Sequence, residues 1–138
     1  MSFNFVRHFV CGYRFESSFT ISKNQKDIYR YIKDTENWYK IDFHELIYFQ
    51  KDIEKTIINT RIGRGILVIR TDDLQMQLRY TIHDFIEGTW KFAIKVESYE
   101  QGARLYFKCK APRGLPSSVF YHRISAFENQ LMRLKDVL

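Results

Sequence analysis

Hydrophobic and polar residues change period along this chain, and the changes divide it into elements. Tyr13, Phe15, Phe19 and Ile21 alternate with Arg14, Glu16, Ser18 and Thr20, the two-residue period of a half-buried strand. Ser22 then opens the capping-box pattern S-x-x-Q, and Asp27 suits a first helical turn. Ile28, Tyr31 and Ile32 supply an apolar stripe, so the spacing predicts a short helix over 23–33. The stretch DTENWYKIDF predicts a second helical turn or two, pinned by Trp38. Residues 1–12 carry no such period; a leading strand or a flap fits them.

From His44 the pattern becomes strand after strand. Segments 44–50 and 54–60 are the more charged pair, and RIGRG marks a bend where two glycines relax the backbone. GILVIRT (65–71) is continuously apolar. Asp72-Asp73 turns the chain into 75–86, where Met76, Leu78, Tyr80 and Ile82 alternate with Gln75, Gln77, Arg79 and Thr81. Glu87-Gly88 leads to 89–99, with Trp90, Phe92, Ile94 and Val96 on one face. Gln101-Gly102 leads to Leu105, Phe107 and Cys109. Strands joined by tight turns predict an antiparallel meander with one wet and one dry face.

The chain closes on a different period. Phe120, Ile124, Phe127, Leu131, Leu134 and Leu138 recur at spacings of three and four, one stripe of a helix from Ser117 to Leu138 roughly 33 Å long. Pro116 suits the first turn, and Ser117 or Ser118 can cap it. The dry face of the sheet has to cover this stripe.

A chain of 138 residues, 45% of them hydrophobic and undivided by any linker, reads as one domain with a real core. No apolar run is long enough for a membrane span. The first residues lack a smooth apolar stretch and a cleavage site, so a cytoplasmic protein is expected. Cys11 and Cys109 form no metal-type pair, and cytoplasmic thiols stay reduced. The net charge of +6 is an ordinary solubility charge that also permits an anionic partner. Twelve Phe and nine Tyr spread over the whole chain suit strands and wide interiors.

The order is strand, two short helices, about six strands and one long helix. In that order, FTISKNQKDIYRYIKDTENW (19–38) with Asp34 and Trp38, the turn EGTW (87–90), APRGLPSSVF (111–120) and LMRLKDVL (131–138) resemble the helix-grip superfamily. That superfamily (SRPBCC) takes in START domains, the Bet v 1-like birch-pollen allergens, polyketide cyclases and coenzyme-Q-binding proteins. The resemblance covers about residues 13–138 and leaves 1–12 as an N-terminal extension. It implies an α+β fold in which a curved antiparallel sheet of about seven strands wraps around the C-terminal helix, with two short helices after the first strand. It also implies a cavity for a small hydrophobic or amphipathic ligand, lipid, quinone or polyketide-like. Two features depart from the pattern: the first dozen residues are extra, and 44–64 is rich in Lys, Glu and Asp. The implied pairing of first and last strands would bring Cys11 near Cys109, where two reduced core residues or a disulfide both fit.

A pocket needs an apolar lining and a few polar groups. The inward register offers Tyr13, Phe15, Leu78, Tyr80, Trp90, Phe92, Ile94, Leu105 and Phe107, and the helix offers Phe120, Ile124, Phe127 and Leu131. Tyr80 is the first polar candidate, because a buried hydroxyl needs a partner; Trp90, with one N–H, is second. The same residues also suit a solid core.

No nucleophile elbow, P-loop or dinucleotide glycine pattern appears, so no catalytic residue and no cofactor is assigned. His8, His44, His83 and His122 lack ligand spacing, so no metal is assigned and each reads as structural or exposed. An enzyme of the cyclase or hydratase kind is the first alternative. Tyr80 would hold a substrate carbonyl, although no partner base is visible. A nucleic acid or ribosome partner is the second: Arg79, Lys91, Lys95, Arg104, Lys108 and Lys110 share the wet face with Tyr99 and Tyr106.

Overall fold

In the computed structural model, which describes residues 5–10, 13–51, 56–60 and 63–138, the strands line up in a single antiparallel sheet. The elements run β1 (Phe5–Val10), β2 (Arg14–Ile21), α1 (Gln25–Lys33), α2 (Glu36–Lys40), a 3-10 turn (Phe43–Glu45), β3 (Leu46–Lys51), β4 (Thr56–Thr60), β5 (Gly63–Asp72), β6 (Gln77–Asp84), β7 (Gly88–Tyr99), β8 (Gly102–Lys110) and α3 (Ser117–Val137). The sheet order is β1-β2-β8-β7-β6-β5-β4-β3. The seven expected strands are present, and β1 adds an eighth at the edge of β2. First and last strands of the meander meet, with Phe15 opposite Cys109 and Phe19 opposite Leu105.

The two-residue period fixes which face is dry. Leu78, Tyr80, Ile82 and Asp84 of β6 are buried between exposed Arg79 and His83, and β7 buries Trp90, Phe92, Ile94 and Val96. Each fully buried apolar side chain there contributes roughly 1.5–3 kcal/mol. The curved sheet presents that face to α3, whose Phe120, Ile124, Phe127, Leu131 and Leu134 are buried. Gly88, at the β6–β7 turn, has a φ of 104° that an L side chain rarely adopts.

Several local readings change. The α1 cap is Asn24, whose Oδ1 accepts from the Lys26 N–H at 2.8 Å, so the helix starts two residues after the Ser22 box predicts. Tyr29, not Tyr31, completes the buried stripe with Ile28 and Ile32. The Tyr29 hydroxyl donates to Asp73 at 2.7 Å, and Lys33 reaches the same carboxylate at 2.9 Å. Asp73 thus fastens α1 to the β5–β6 turn while Asp72 closes that turn through the Gln75 N–H. Pro116 takes the N-cap position of α3 rather than its first turn, and no serine side chain caps it.

In the charged segment both expected strands form, each with its described start two residues later than the pattern predicts. Strands β3 and β4 exist, but His44 and Glu45 belong to the 3-10 turn ahead of them. Extended pairing is also irregular between Leu46 and Tyr48.

Candidate functional site

The 3-10 turn carries His44 into the space between sheet and α3. Asp42, His44 and Glu45 have φ values of 56°, 56° and 54°, and left-handed non-glycine residues cost about 1–3 kcal/mol each. Two contacts tie the turn to α3, and a ring contact packs it internally. The His44 backbone N–H donates to Gln130 Oε1 on α3 at 2.8 Å. Arg133, one turn further along the helix, pairs with Asp42 at 3.4 Å. The rings of Phe43 and His44 lie 4.0 Å apart.

The His44 imidazole is buried among aromatics. Phe92, Phe127, Tyr80 and Trp38 have ring centroids 4.6, 5.3, 5.4 and 5.5 Å from it. Its Nε2 lies 2.6 Å from the Tyr80 hydroxyl, a buried hydrogen bond. Burial pushes the imidazole down to about 3, because a cation there would lose its hydration. Burial also raises the Tyr80 hydroxyl well above its ordinary value. Both groups are therefore neutral at pH 7. With the hydroxyl donating to Nε2, Nδ1–H is the ring's remaining donor.

Beside this pair lies a cavity of about 40 Å³, walled by Ile82, Trp90, Phe92 and Phe127 and edged by His44, Thr60, Asp84, Glu87, Arg123 and Gln130. Glu87 and Arg123 form its strongest electrostatic feature. Their closest approach is 2.7 Å, and each side chain is only 11% exposed. Glu87 Oε1 also accepts the Trp90 indole N–H at 3.0 Å. Asp84 Oδ1 accepts the N–H groups of Ile86 and Glu87 and so fixes the turn that presents Glu87.

Removing one partner of a largely buried ion pair strands the other charge. Arg123→Ala is expected to cost about 3 kcal/mol by urea unfolding. The double variant Glu87→Gln with Arg123→Met should cost less than Arg123→Ala alone, because it keeps the acceptor for Trp90 and leaves no charge behind. A double variant no better than the single would show that the pair is not electrostatically coupled.

Of the thirteen residues the sequence singled out, Trp90, Phe92 and Phe127 line this cavity, and Tyr80 joins it through His44. Phe15, Leu78, Ile94, Leu105, Phe107, Phe120, Ile124 and Leu131 are buried in the surrounding core but do not line it. Tyr13 departs from the inward register. It precedes β2 with a φ of 60°, is 36% exposed, and sets its ring edge against Phe120 at 5.3 Å. The Trp90 N–H is taken by Glu87. Cys109 is a free buried thiol pushed up to about 12 by burial, and Cys11 lies outside the described residues. His44, Gln130, Glu87 and Arg123 were not expected at a site. The one signal for His44 was the partner that a buried Tyr80 hydroxyl required.

Among the described residues, no helix is long and apolar enough to cross a membrane. No family model matches the sequence, and no curated relative does. Solved structures do match. A START superfamily protein from Mycobacterium smegmatis superposes with a TM-score of 0.73 at 9% identity, covering 89% of this chain and 94% of that one. The di-domain ARO/CYC protein BexL from the BE-7585A biosynthetic pathway gives 0.72 at 12% identity, over 89% of this chain and 45% of that one. Ara h 8.0201 gives 0.65 at 14% identity, over 90% and 95%. With the strand order, the paired first and last strands and the gripped C-terminal helix, these likenesses establish that the chain has the helix-grip fold of the START superfamily protein, BexL and Ara h 8.0201.

Proposed function

We propose that the protein binds a small, largely apolar molecule carrying one hydrogen-bonding group, of lipid, quinone or polyketide-like chemistry, between the sheet and α3. The observation that carries this reading is the convergence of His44, Asp84, Glu87, Arg123 and Gln130 on one apolar-walled cavity. A core built only for stability has little use for so many polar groups at one place, since each must be paired at a desolvation cost. Apolar surface leaving water supplies the affinity at roughly 25 cal/mol per Å². The His44–Tyr80 pair or Arg123 sets the orientation. The free thiol of Cys109 suits a reducing, cytoplasmic setting.

A cavity of about 40 Å³ is far below the ~300 Å³ at which small-molecule pockets begin, so uptake requires the walls to part. The turn holding His44 is the wall element whose displacement this reading requires. Asp42, His44 and Glu45 hold left-handed φ values, and the turn's contacts to α3 through Gln130 and Arg133 must be released for it to part from the helix.

The His44–Tyr80 pair also bears on the cyclase or hydratase alternative. A general base works best with a pKa near the working pH, and His44 is pushed down to about 3. Hydrogen bonding to a carbonyl suits this imidazole better than proton abstraction. Turnover abolished by Tyr80→Phe would favour the enzyme instead.

Solvent extraction of the purified protein followed by mass spectrometry should release an apolar compound at near-stoichiometric amount. Anilinonaphthalene sulfonate binding gives an independent check, with Ala126→Leu filling the cavity from α3, where Ala126 is one of its lining residues. Loss of dye affinity by roughly tenfold is expected for two or three lost apolar contacts. A blank extraction with dye affinity unchanged in Ala126→Leu would overturn the reading.

A further inference from the structure

The opposite face of the sheet carries an arrangement that stability alone does not explain. Across β2, β8 and β7, Arg14 stands directly opposite Lys110, and Lys110 directly opposite Lys91. In the next outward row, Arg70 stands opposite Arg79, then Ala93, Lys108 and Glu16 follow. Like charges directly opposite in a sheet repel and destabilise it. Three such pairs occur within five neighbouring strands.

Counter-charge on this face is sparse. Lys108 approaches Glu16 at 3.8 Å, and Lys95 meets Glu97 at 3.2 Å. Among the described residues no carboxylate forms an ion pair with Arg14, Arg70, Arg79, Lys91 or Lys110. All five are exposed.

The small side chain of Ala93 makes the face concave. Arg79 and Lys108 flank Ala93 across the strands, and Lys91 and Lys95 flank it along β7. A trough of about 550 Å³ around Arg14, Arg79, Lys91, Lys108 and Lys110 continues into a second of about 450 Å³ towards Lys95 and Tyr106. From Lys91 to Glu97 the track runs roughly 20 Å at 3.3 Å per residue. One phosphate would occupy only part of it, whereas about six stacked nucleotides at 3.4 Å each fill it. Tyr106 lines the track, so a ring on which a base can stack lies beside the cations. A lipid surface fits less well. The large apolar residues Leu74, Phe85 and Ile86 are exposed at the turns that end the strands, not in the trough.

We propose that this face binds single-stranded nucleic acid along its phosphate backbone, independently of the cavity on the other side of the sheet. The bound phosphates relieve the repulsion of the row Arg14–Lys110–Lys91.

The test is fluorescence anisotropy of labelled twelve-nucleotide oligouridine RNA and oligothymidine DNA with the full chain. Neutralising about four phosphates predicts binding roughly 50-fold weaker at 200 mM than at 50 mM salt. Lys91→Glu with Lys110→Glu should weaken binding at least tenfold. Lys26→Glu with Lys40→Glu, the same charge change on α1 and α2, should leave it within about twofold. Lys91→Glu alone should keep or raise the melting temperature, since it places opposite charges across from each other, which separates lost binding from lost folding. Tighter RNA than DNA binding would mean that ribose hydroxyls are also read; equal binding would mean phosphates alone, and both support the proposal. It is overturned if neither strand binds at 50 mM salt, if both double variants weaken binding equally, or if only phosphatidylglycerol vesicles are bound.

Discussion

Trp38→Ala should cost about 5 kcal/mol in urea unfolding, the upper end for a large aromatic side chain cut from a core. Trp38 is 1% exposed, and its ring sits 5.1 Å from those of Phe43 and Tyr80. Its indole N–H donates to the Ile32 carbonyl at 2.8 Å, while Asn37 Nδ2 donates to the Tyr31 carbonyl at 2.9 Å. Those carbonyls belong to the last turn of α1 and have no partner within the helix. Residues of α2 therefore cap α1 from outside, and the alanine variant combines a large void with an unpaired carbonyl. Trp38→Phe keeps most of the volume and should cost about 1–2 kcal/mol, the scale of one stranded acceptor. A loss below 2 kcal/mol for the alanine variant would mean that neighbouring rings collapse into the gap. Because Phe43 and Tyr80 both border His44, the alanine variant should also loosen the candidate site.

The fold was legible wherever burial imposes a short period. Strands β2 and β6 to β8 and the α3 stripe follow from alternation or from spacings of three and four, because each has one wet and one dry face, and β5 follows from its continuous apolar run. Helix starts were less legible. Ser22 and Asn24 both satisfy capping chemistry, and only the backbone decides that Asn24 does the work. The site was the least legible part, for a physical reason. Its polar members come from the 3-10 turn, the β6–β7 turn and α3, and no local pattern ties His44 to Gln130, 86 residues away. Gln130 sits beside Leu131 on a helix where a single polar residue does not disturb the apolar stripe. Glu87 read as turn chemistry because Gly88 follows it, yet its carboxylate points inward to Arg123. Tyr80 was legible through its unmet hydroxyl; the group that meets it was not.

The buried imidazole gives the fold a pH dependence of definite sign. In the folded protein His44 is pushed from 6.5 to about 3, so between those values the unfolded chain takes up a proton that the native state refuses. Stability then rises with pH through that window. The contribution is complete above pH 6.5 and is lost as pH falls towards 3. Between pH 6.5 and 4.5 it amounts to about 2 kcal/mol, at 1.36 kcal/mol per unit less the rounding near 6.5. Urea midpoints at pH 7.0 and 4.5 measure it. The variant His44→Phe with Tyr80→Phe replaces a hydrogen-bonded pair by two rings of similar shape, so its cost at pH 7 should be small, and its acid sensitivity over this window should fall by about 2 kcal/mol. Tyr80→Phe alone keeps the imidazole and removes its partner, so it should keep the slope while costing about 1–3 kcal/mol. Proton magnetic resonance separates the cause from other titrations, because the His44 ring signals should not move above pH 4.5. A His44 resonance titrating near 6.5, or an unchanged slope in the double variant, would refute a neutral buried imidazole. If the ring stays neutral, the polar group offered to a ligand is the same at pH 5 and pH 8. Occupancy by an uncharged ligand should then be flat across that range, unlike a site whose anchor is a titrating cation.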